Sequence, residues 1–288
     1  MNASHFAEFW QAQGYRVIET ASCFWYNARR FSFMSIPYHR EVAPGSSELR
    51  RLFFTGPALA ARFFPADDSE ADRGLFVCSD RNYSLGSLGK KARNQTRRGL
   101  ESCSVEQIDF EYLARHGQPI NGDTWVRQGR SPKSMGDRQW RAYCAAAHPP
   151  DFEAWGAFAE GELAAFLIAA LVEDCLSILH QASATALLAA YPNNALTFTV
   201  TERRLACPQV SYISYGLKSL EDTSTLDHFK FQMGYRLKPR GDRVVLHPFL
   251  RPLVGLGGKQ LVTAMARRWP GSDFWRKAAT VLPQAHQQ

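Results

Sequence analysis

Apolar and polar positions follow different rhythms along the chain, and the clearest pattern lies past its midpoint. Phe152–Ala159, residues 163–172 and residues 176–182 are three apolar runs separated by the dipeptides Glu160-Gly161 and Glu173-Asp174. Runs of strand length joined by two-residue turn signals predict a three-stranded antiparallel meander. Pro192 then opens a helix to about Ala206, with the proline near the first turn where its missing N–H costs least. A strand over 210–215 and a helix over 224–233, stopped by Gly234, come next. Tyr235–Leu237 and Arg243–Leu246 are the last strands. Strands, helix, strand, helix and closing strand in this order predict an α+β fold rather than an alternating βαβ series.

The first half is less regular. Strand composition marks residues 15–20, 31–36 and 74–79, with an aromatic segment at Cys23-Phe24-Trp25-Tyr26. A short helix starts at Ser46-Ser47 and ends near Gly56-Pro57. A longer helix is predicted over 85–102, with Leu85, Leu88, Ala92, Gly99 and Leu100 on one side and Lys90, Lys91, Arg93, Asn94, Arg97 and Arg98 on the other. Gly86 and Gly89 weaken its start. Shorter helices are expected over 110–116, 125–128 and 137–147, and at the end of the chain over 253–269 and 273–279. The last two carry basic and aromatic residues in an amphipathic pattern that suits contact with an anionic membrane, or simple packing onto the domain.

The 288 residues suffice for one large domain or two small ones. An apolar fraction of 45% and a charged fraction of 21% are those of a globular protein. The segment 1–13 lacks a basic stretch followed by an apolar core, and no apolar run reaches the length of a membrane span, so a cytoplasmic protein is expected. The six cysteines are scattered without paired spacing, which argues against a disulfide framework and against a metal centre. A net charge of +7 suits an anionic partner without choosing among nucleotide, nucleic acid and lipid.

The strand and helix order over 151–248 resembles the core of GNAT acyltransferases. Two further segments resemble the Fem-type branch, whose members build peptidoglycan bridges. One is the basic run from Leu85 to Gly99; the other is Leu226-Asp227-His228-Phe229-Lys230-Phe231-Gln232-Met233-Gly234-Tyr235. The resemblance covers about residues 83–248. It implies a mixed, mostly antiparallel sheet flanked by helices, with a partial GNAT-like subdomain over 1–82, an acyltransferase domain over 83–250 and a helical extension over 251–288. It also implies that the third meander strand and the strand after the helix splay apart to admit an acyl donor. Gln181, Ser183, Asn193 and Asn194 would then hold the donor. The loop that is Gly-rich in common GNAT enzymes contains no glycine here between Gln181 and Leu188. Backbone approach to a pyrophosphate is harder without it, and the Fem branch uses aminoacyl-tRNA. Acyl-CoA, an acyl carrier protein and an aminoacyl-tRNA all remain open as donor substrates, with no tightly bound cofactor expected.

Direct acyl transfer needs a placed nucleophile, a stabilised oxyanion and a protonated leaving group. Lys230, between Phe229 and Phe231, is the candidate for charge stabilisation; the alternative is a surface lysine on an amphipathic helix. Tyr215 is a candidate proton donor, or an ordinary half-buried aromatic. His180 is a candidate general base, or a strand histidine satisfied by a neighbour. Arg93 and Arg97 on the basic helix suit a phosphate or carboxylate, and Trp125 with Arg127 suits a small or sugar-linked acceptor. The leading expectation is an N-acyltransferase working by direct transfer, connected by resemblance to cell-envelope or polysaccharide modification. The alternatives are a binding module that kept the fold and lost donor binding, and a nucleic-acid-binding protein using the basic helix.

Overall fold

The computed structural model describes residues 1–29, 31–56, 58–66, 73–129, 136–218, 225–250 and 268. The chain forms two compact units built from interleaved segments. One takes Met1–Gly14, Leu75–Lys218 and Thr223–Lys238; the other takes Tyr15–Gly74, Ser219–Asp222 and the chain from Pro239 onward. The helices expected over 253–269 and 273–279 lie, but for Arg268, outside the described residues. Among the described residues no helix is long and apolar enough to cross a membrane.

The first unit is organised on a seven-stranded sheet. Its strands are β5 (Gly74–Cys78), β6 (Ser104–Ile108), β7 (Phe152–Ala159), β8 (Glu162–Val172), β9 (Cys175–Ser183), β10 (Tyr212–Leu217) and β11 (Arg236–Pro239). They lie in the order β11-β5-β10-β9-β8-β7-β6. Strands β6 to β9 form an antiparallel series, β9 and β10 run parallel, and β10 and β5 are antiparallel. The expected α+β class, with mostly antiparallel sheet flanked by helices, is what the chain adopts. The first meander turn works because Glu160 and Gly161 both take positive φ, 54° and 80°, as a tight hairpin with right-handed twist demands.

Helix α6 (Pro192–Leu205) lies on one face of this sheet. The strands meet it with small side chains, Ala157, Ala165 and Ala169. That close approach buries α6 continuously from Asn194 to Thr201. Its Thr, Val and Phe residues are indifferent helix formers, so packing rather than propensity holds it. Helix α3 (Lys90–Ser102) crosses α6 through the buried stripe Ala92, Thr96 and Gly99. Helices α4 (Phe110–Arg127) and α5 (Asp137–Ala146) are associated with the other face, where Trp140 packs on Phe166. Helix α1 (Ala3–Ala12) packs on α5, and α7 (Thr225–Gln232) on α3.

Several boundaries differ from expectation for local reasons. The helix expected from Leu85 is a 3-10 turn, Leu85–Ser87, in which the Ser84 hydroxyl accepts from the Gly86 N–H; α3 starts at Lys90, past both glycines. The two short helices expected over 110–116 and 125–128 are one helix, α4, running through Pro119. Proline removes one backbone donor, and burial of Leu113, Ile120 and Trp125 carries the helix across it. Strand β6, with little apolar pattern, is specified by pairing with β7.

The second unit has a five-stranded sheet in the order β1-β2-β3-β4-β12. Its strands are β1 (Val17–Glu19), β2 (Phe24–Arg29), β3 (Ser32–Ile36), β4 (Ala60–Phe63) and β12 (Arg243–Leu246). Helix α2 (Ser46–Thr55) buries Leu52 and Phe53 in a core with Trp25, Phe33 and Val245. The aromatic segment at 23–26 thus belongs largely to β2, and the strand expected over 243–246 closes this sheet rather than the first one. Asp242 is buried here; burial alone would raise its carboxyl, but Arg62, at 2.7 Å, and Arg73, at 3.2 Å, bring it below the usual carboxylate range.

Gly99 decides how closely α3 and α6 approach. A Cβ there would meet the Tyr191 carbonyl at 2.8 Å and the Ala195 Cβ at 3.2 Å. Gly99→Val is expected to destabilise the fold by about 1–3 kcal/mol through overpacking, as a lowered midpoint in urea unfolding.

Candidate active site

Strands β9 and β10 begin as neighbours and then part. Tyr212, Ile213 and Ser214 pair with Cys175, Leu176 and Ser177. Beyond Ser214, β10 shifts register against β5, and Gly216 takes φ 74°. Strand β9 continues on β8 to Ser183, but with a slip: His180 is opposite Ile168, while Ile178 is opposite Ala169. Leu179 is therefore an extra residue, a bulge that bends the strand and leaves a residue out of the ladder. The divergence opens a cleft of about 470 Å³, within the range of small-ligand sites. Leu179, Gln181 and Ser183 line one wall and Tyr215 and Gly216 the other; Trp125 and Gln128 come from the end of α4 and Phe229 and Lys230 from α7.

A chain of hydrogen bonds spans the opening. The Tyr215 hydroxyl donates to Gln181 Oε1 across the parted strands. Gln181 Nε2 donates to Asn193 Oδ1 at 3.0 Å and to Thr197 Oγ1 at 3.2 Å, both on α6. Asn193 Nδ2 donates to Ser183 Oγ at 2.8 Å. Arg127 donates to the Ser183 carbonyl and hydroxyl, both at 3.0 Å, and to Thr185 Oγ1 at 2.7 Å. Thr124 both accepts from the Ser183 N–H and donates to its carbonyl, each at 2.9 Å. The Ser183 N–H and carbonyl at the end of β9 are thus held by the side chains of Thr124 and Arg127. Burial pushes the Tyr215 phenol well up, so it keeps its proton at neutral pH.

Lys230 is 3% exposed and reaches the cleft from α7. Its Nζ donates to the Leu217 carbonyl at 3.2 Å and meets Asp227 Oδ1 at 3.3 Å. It also lies 4.5 Å from the Phe76 ring centroid and 5.7 Å from that of Tyr215. Burial lowers the ammonium's pKa from the ordinary lysine value, and Asp227 opposes that shift. A cation held this way, beside a ring's negative face and one carboxylate, is fixed by the protein's own groups.

Five further expected residues do not converge here as side chains, or do so only in part. The His180 ring turns away from Gln181, to the α4 and α5 side. There Nε2 lies 2.7 Å from Asn121 Oδ1, and the ring stacks on Phe166 at 5.6 Å, with Trp140 5.8 Å away. The Leu179 bulge sits between Ile178 and His180. Asn194 is buried and donates to Met233 Sδ at 3.5 Å, while its neighbour Asn193 faces the cleft. Arg93 closes the 3-10 turn by donating to the carbonyls of Gly86, at 3.3 Å, and Leu88, at 3.1 Å. Arg97 is exposed on α3 and does not line the cleft. Trp125 lines the cleft as a side chain only 8% exposed. Three residues that matter were not singled out: Thr124, Thr197 and Asp227. Asp227 stands three positions before Lys230, helix-pair spacing visible in the sequence; the other two have no local signature.

The segment before α6 is folded on itself. Residues Thr185–Ala190 form a 3-10 helix. The Ala184 N–H donates to the Ala164 carbonyl, and the Leu187 and Tyr191 N–H groups to the carbonyls of Ala184 and Leu188. The Thr185 N–H and hydroxyl donate to Asp123 at 2.5 and 2.9 Å, and that N–H holds the Asp123 carboxyl below its ordinary value.

A mostly antiparallel sheet in which β9 and β10 run parallel and then part beside a buried helix is a fold this chain shares with solved structures of low sequence identity. Among solved structures, the chain is similar to FemX, with a TM-score of 0.62 and 12% identity over 88% of this chain and 93% of that one. It is also similar to L-PGS from Bacillus licheniformis, with a TM-score of 0.55 and 15% identity over 85% and 86%. A third is the C-terminal domain of a putative lysylphosphatidylglycerol synthetase from Agrobacterium fabrum, with a TM-score of 0.54 and 12% identity over 83% and 86%. No protein-family model and no curated protein matches the sequence.

The Lys230–Asp227 pair yields a direct test. Asp227→Asn removes the group that opposes the lowering, so the Lys230 pKa should fall further, as read by NMR titration of the labelled lysine. Leaving a buried ammonium without its carboxylate should also cost about 3–5 kcal/mol, measured as a loss in unfolding free energy at neutral pH.

Proposed function

We propose that this protein is an aminoacyltransferase that moves an aminoacyl group from the ester of a charged tRNA to an amine, or a hydroxyl, of a cell-envelope acceptor. The observation that carries this is the cleft between β9 and β10, lined by Leu179, Gln181, Ser183, Tyr215 and Lys230. The fold kinship supports it: one neighbour is named for lysylphosphatidylglycerol, an aminoacyl group joined to a lipid.

The choice of donor rests on the segment 184–191. Binding a pyrophosphate there would need free backbone N–H groups. Those of Ala184, Thr185, Leu187 and Tyr191 are already committed, one of them to a carboxylate. A carboxylate at that point repels a phosphate. An aminoacyl ester presents no pyrophosphate, so it fits the cleft without that segment. Arg97 and the exposed Lys90, Lys91 and Arg98 of α3 then serve the tRNA backbone, and Trp125 with Arg127 borders the acceptor.

Transfer proceeds in one displacement. The acceptor nitrogen attacks the ester carbonyl carbon, and a C–N bond forms as the bond from that carbon to the ribose oxygen breaks. Lys230 and the backbone at the Leu179 bulge stabilise the oxyanion. Tyr215, kept protonated by burial, donates to the departing ribose oxygen and recovers a proton from the attacking amine. His180, turned into its aromatic surroundings, orients β9 rather than acting as base.

With charged tRNA and an amine acceptor, Lys230→Ala is expected to lower turnover by about 10²–10³-fold, and Tyr215→Phe by about 10²-fold, with near-native circular dichroism in both. Undiminished turnover in the lysine variant removes Lys230 from the chemistry. In calorimetric titrations charged tRNA should give heat and acyl-CoA none; the reverse result assigns the donor to the thioester.

A further inference from the structure

Four large apolar side chains stand exposed at one end of the second unit's sheet. The chain there stitches three strand ends together: the Leu59 N–H donates to the Phe31 carbonyl at 2.8 Å, and the His247 N–H to the Leu59 carbonyl at 2.9 Å. Phe31 thus precedes β3, Leu59 precedes β4 and His247 follows β12, side by side. The His247 ring is a buried hub. It meets Phe54, at the end of α2, at 5.2 Å between centroids and Phe249 at 5.1 Å; the Phe249 N–H donates to its Nδ1 at 3.3 Å. Around this hub Phe31 is 43% exposed, Phe54 63%, Leu59 42% and Phe249 76%. Helix α2 sends Leu52 and Phe53 into the core, so Phe54 is not needed there.

Arginines stand beside these residues. Arg50 and Arg51 are exposed on α2, and the Arg16 guanidinium donates to the Thr55 carbonyl at 3.1 Å, next to Phe54. In sequence, Arg29-Arg30-Phe31, Arg50-Arg51-Leu52-Phe53-Phe54 and Phe249-Leu250-Arg251 contain no acid. Contiguous exposed apolar groups mark an interaction surface. Phenylalanine and leucine flanked by arginine match an acyl-chain layer beneath anionic headgroups.

We propose that this end of the second unit, formed by Phe31, Phe54, Leu59 and Phe249 with Arg16, Arg50 and Arg51, docks on an anionic lipid membrane. A second copy on a two-fold axis is a poorer occupant, because it would set the same arginines against each other. A nucleic acid would use the arginines and the rings but leave Leu59 without a partner. The surface is independent of the chemistry assigned to the cleft.

Co-sedimentation of the full chain with vesicles tests this. Binding to phosphatidylglycerol–phosphatidylcholine vesicles is expected at low salt, with little binding to phosphatidylcholine alone. Replacing Phe54 and Phe249 together by Ser should weaken it by at least about tenfold, and Arg50→Glu with Arg51→Glu should abolish the preference for the anionic lipid. Thermal unfolding should stay near wild type, since all four side chains are exposed. Equal binding by the Phe54/Phe249 variant, or no binding by the wild type, overturns the proposal. So does a dimer in sedimentation that the same two substitutions dissociate, or a transfer-RNA complex that they abolish.

Discussion

The parting of β9 from β10 is the constraint on which the rest of the first unit depends. Two parallel strands that separate leave backbone donors and acceptors facing a gap, and buried polar groups without partners are costly. The chain answers with side chains. Tyr215 reaches Gln181 across the gap, Gln181 reaches Asn193 and Thr197 on α6, and Arg127 and Thr124 close on Ser183 from α4. Both flanking helices are thereby tied to the opening. The bulge at Leu179 belongs to the same arrangement, because it bends β9 and leaves a residue out of its ladder with β8.

Placing these groups depends on how tightly α6 sits on the sheet. Alanines at 157, 165 and 169 let the helix approach, and Gly99 lets α3 cross behind it. A displaced α6 would carry Asn193 and Thr197 away from Gln181. Lys230 is set by a different balance. Burial disfavours its charge, Asp227 restores part of it, and the Phe76 ring centroid lies 4.5 Å away. A surface lysine would have none of these partners, nor the cost that makes its charge useful in a cleft.

Much of this was legible in the sequence, and the gaps have physical causes. The meander, the proline-started helix and the Gly234 stop carry local signals that pattern and turn chemistry expose, and the fold class followed from their order. Lys230, Tyr215, Gln181, Ser183, Asn193, Trp125 and Arg127 were singled out and all line the cleft. His180 also borders it, with its ring directed to Asn121 and Phe166 on the α4 and α5 side; Asn194, the neighbour of Asn193, is rotated by the helix into the core. α4 looked like two helices because Pro119 breaks a local pattern that burial over a longer span overrides. Weakly patterned elements such as β6 and β4 exist because of their partners, and the joining of β12 to a sheet begun 220 or so residues earlier has no local trace.

Placement of the acyl group in the cleft is open to direct measurement. The direct measurement is a titration of the isotopically labelled protein with a non-hydrolysable 3′-aminoacylamido-adenosine, followed by backbone and side-chain amide NMR. With the acyl group in the cleft, the largest shifts are expected on Leu179, Gln181, Ser183, Asn193 and Gly216, with the Lys230 side chain moving as well. Shifts confined to other surfaces, or saturable binding that leaves those residues unmoved, would contradict that placement.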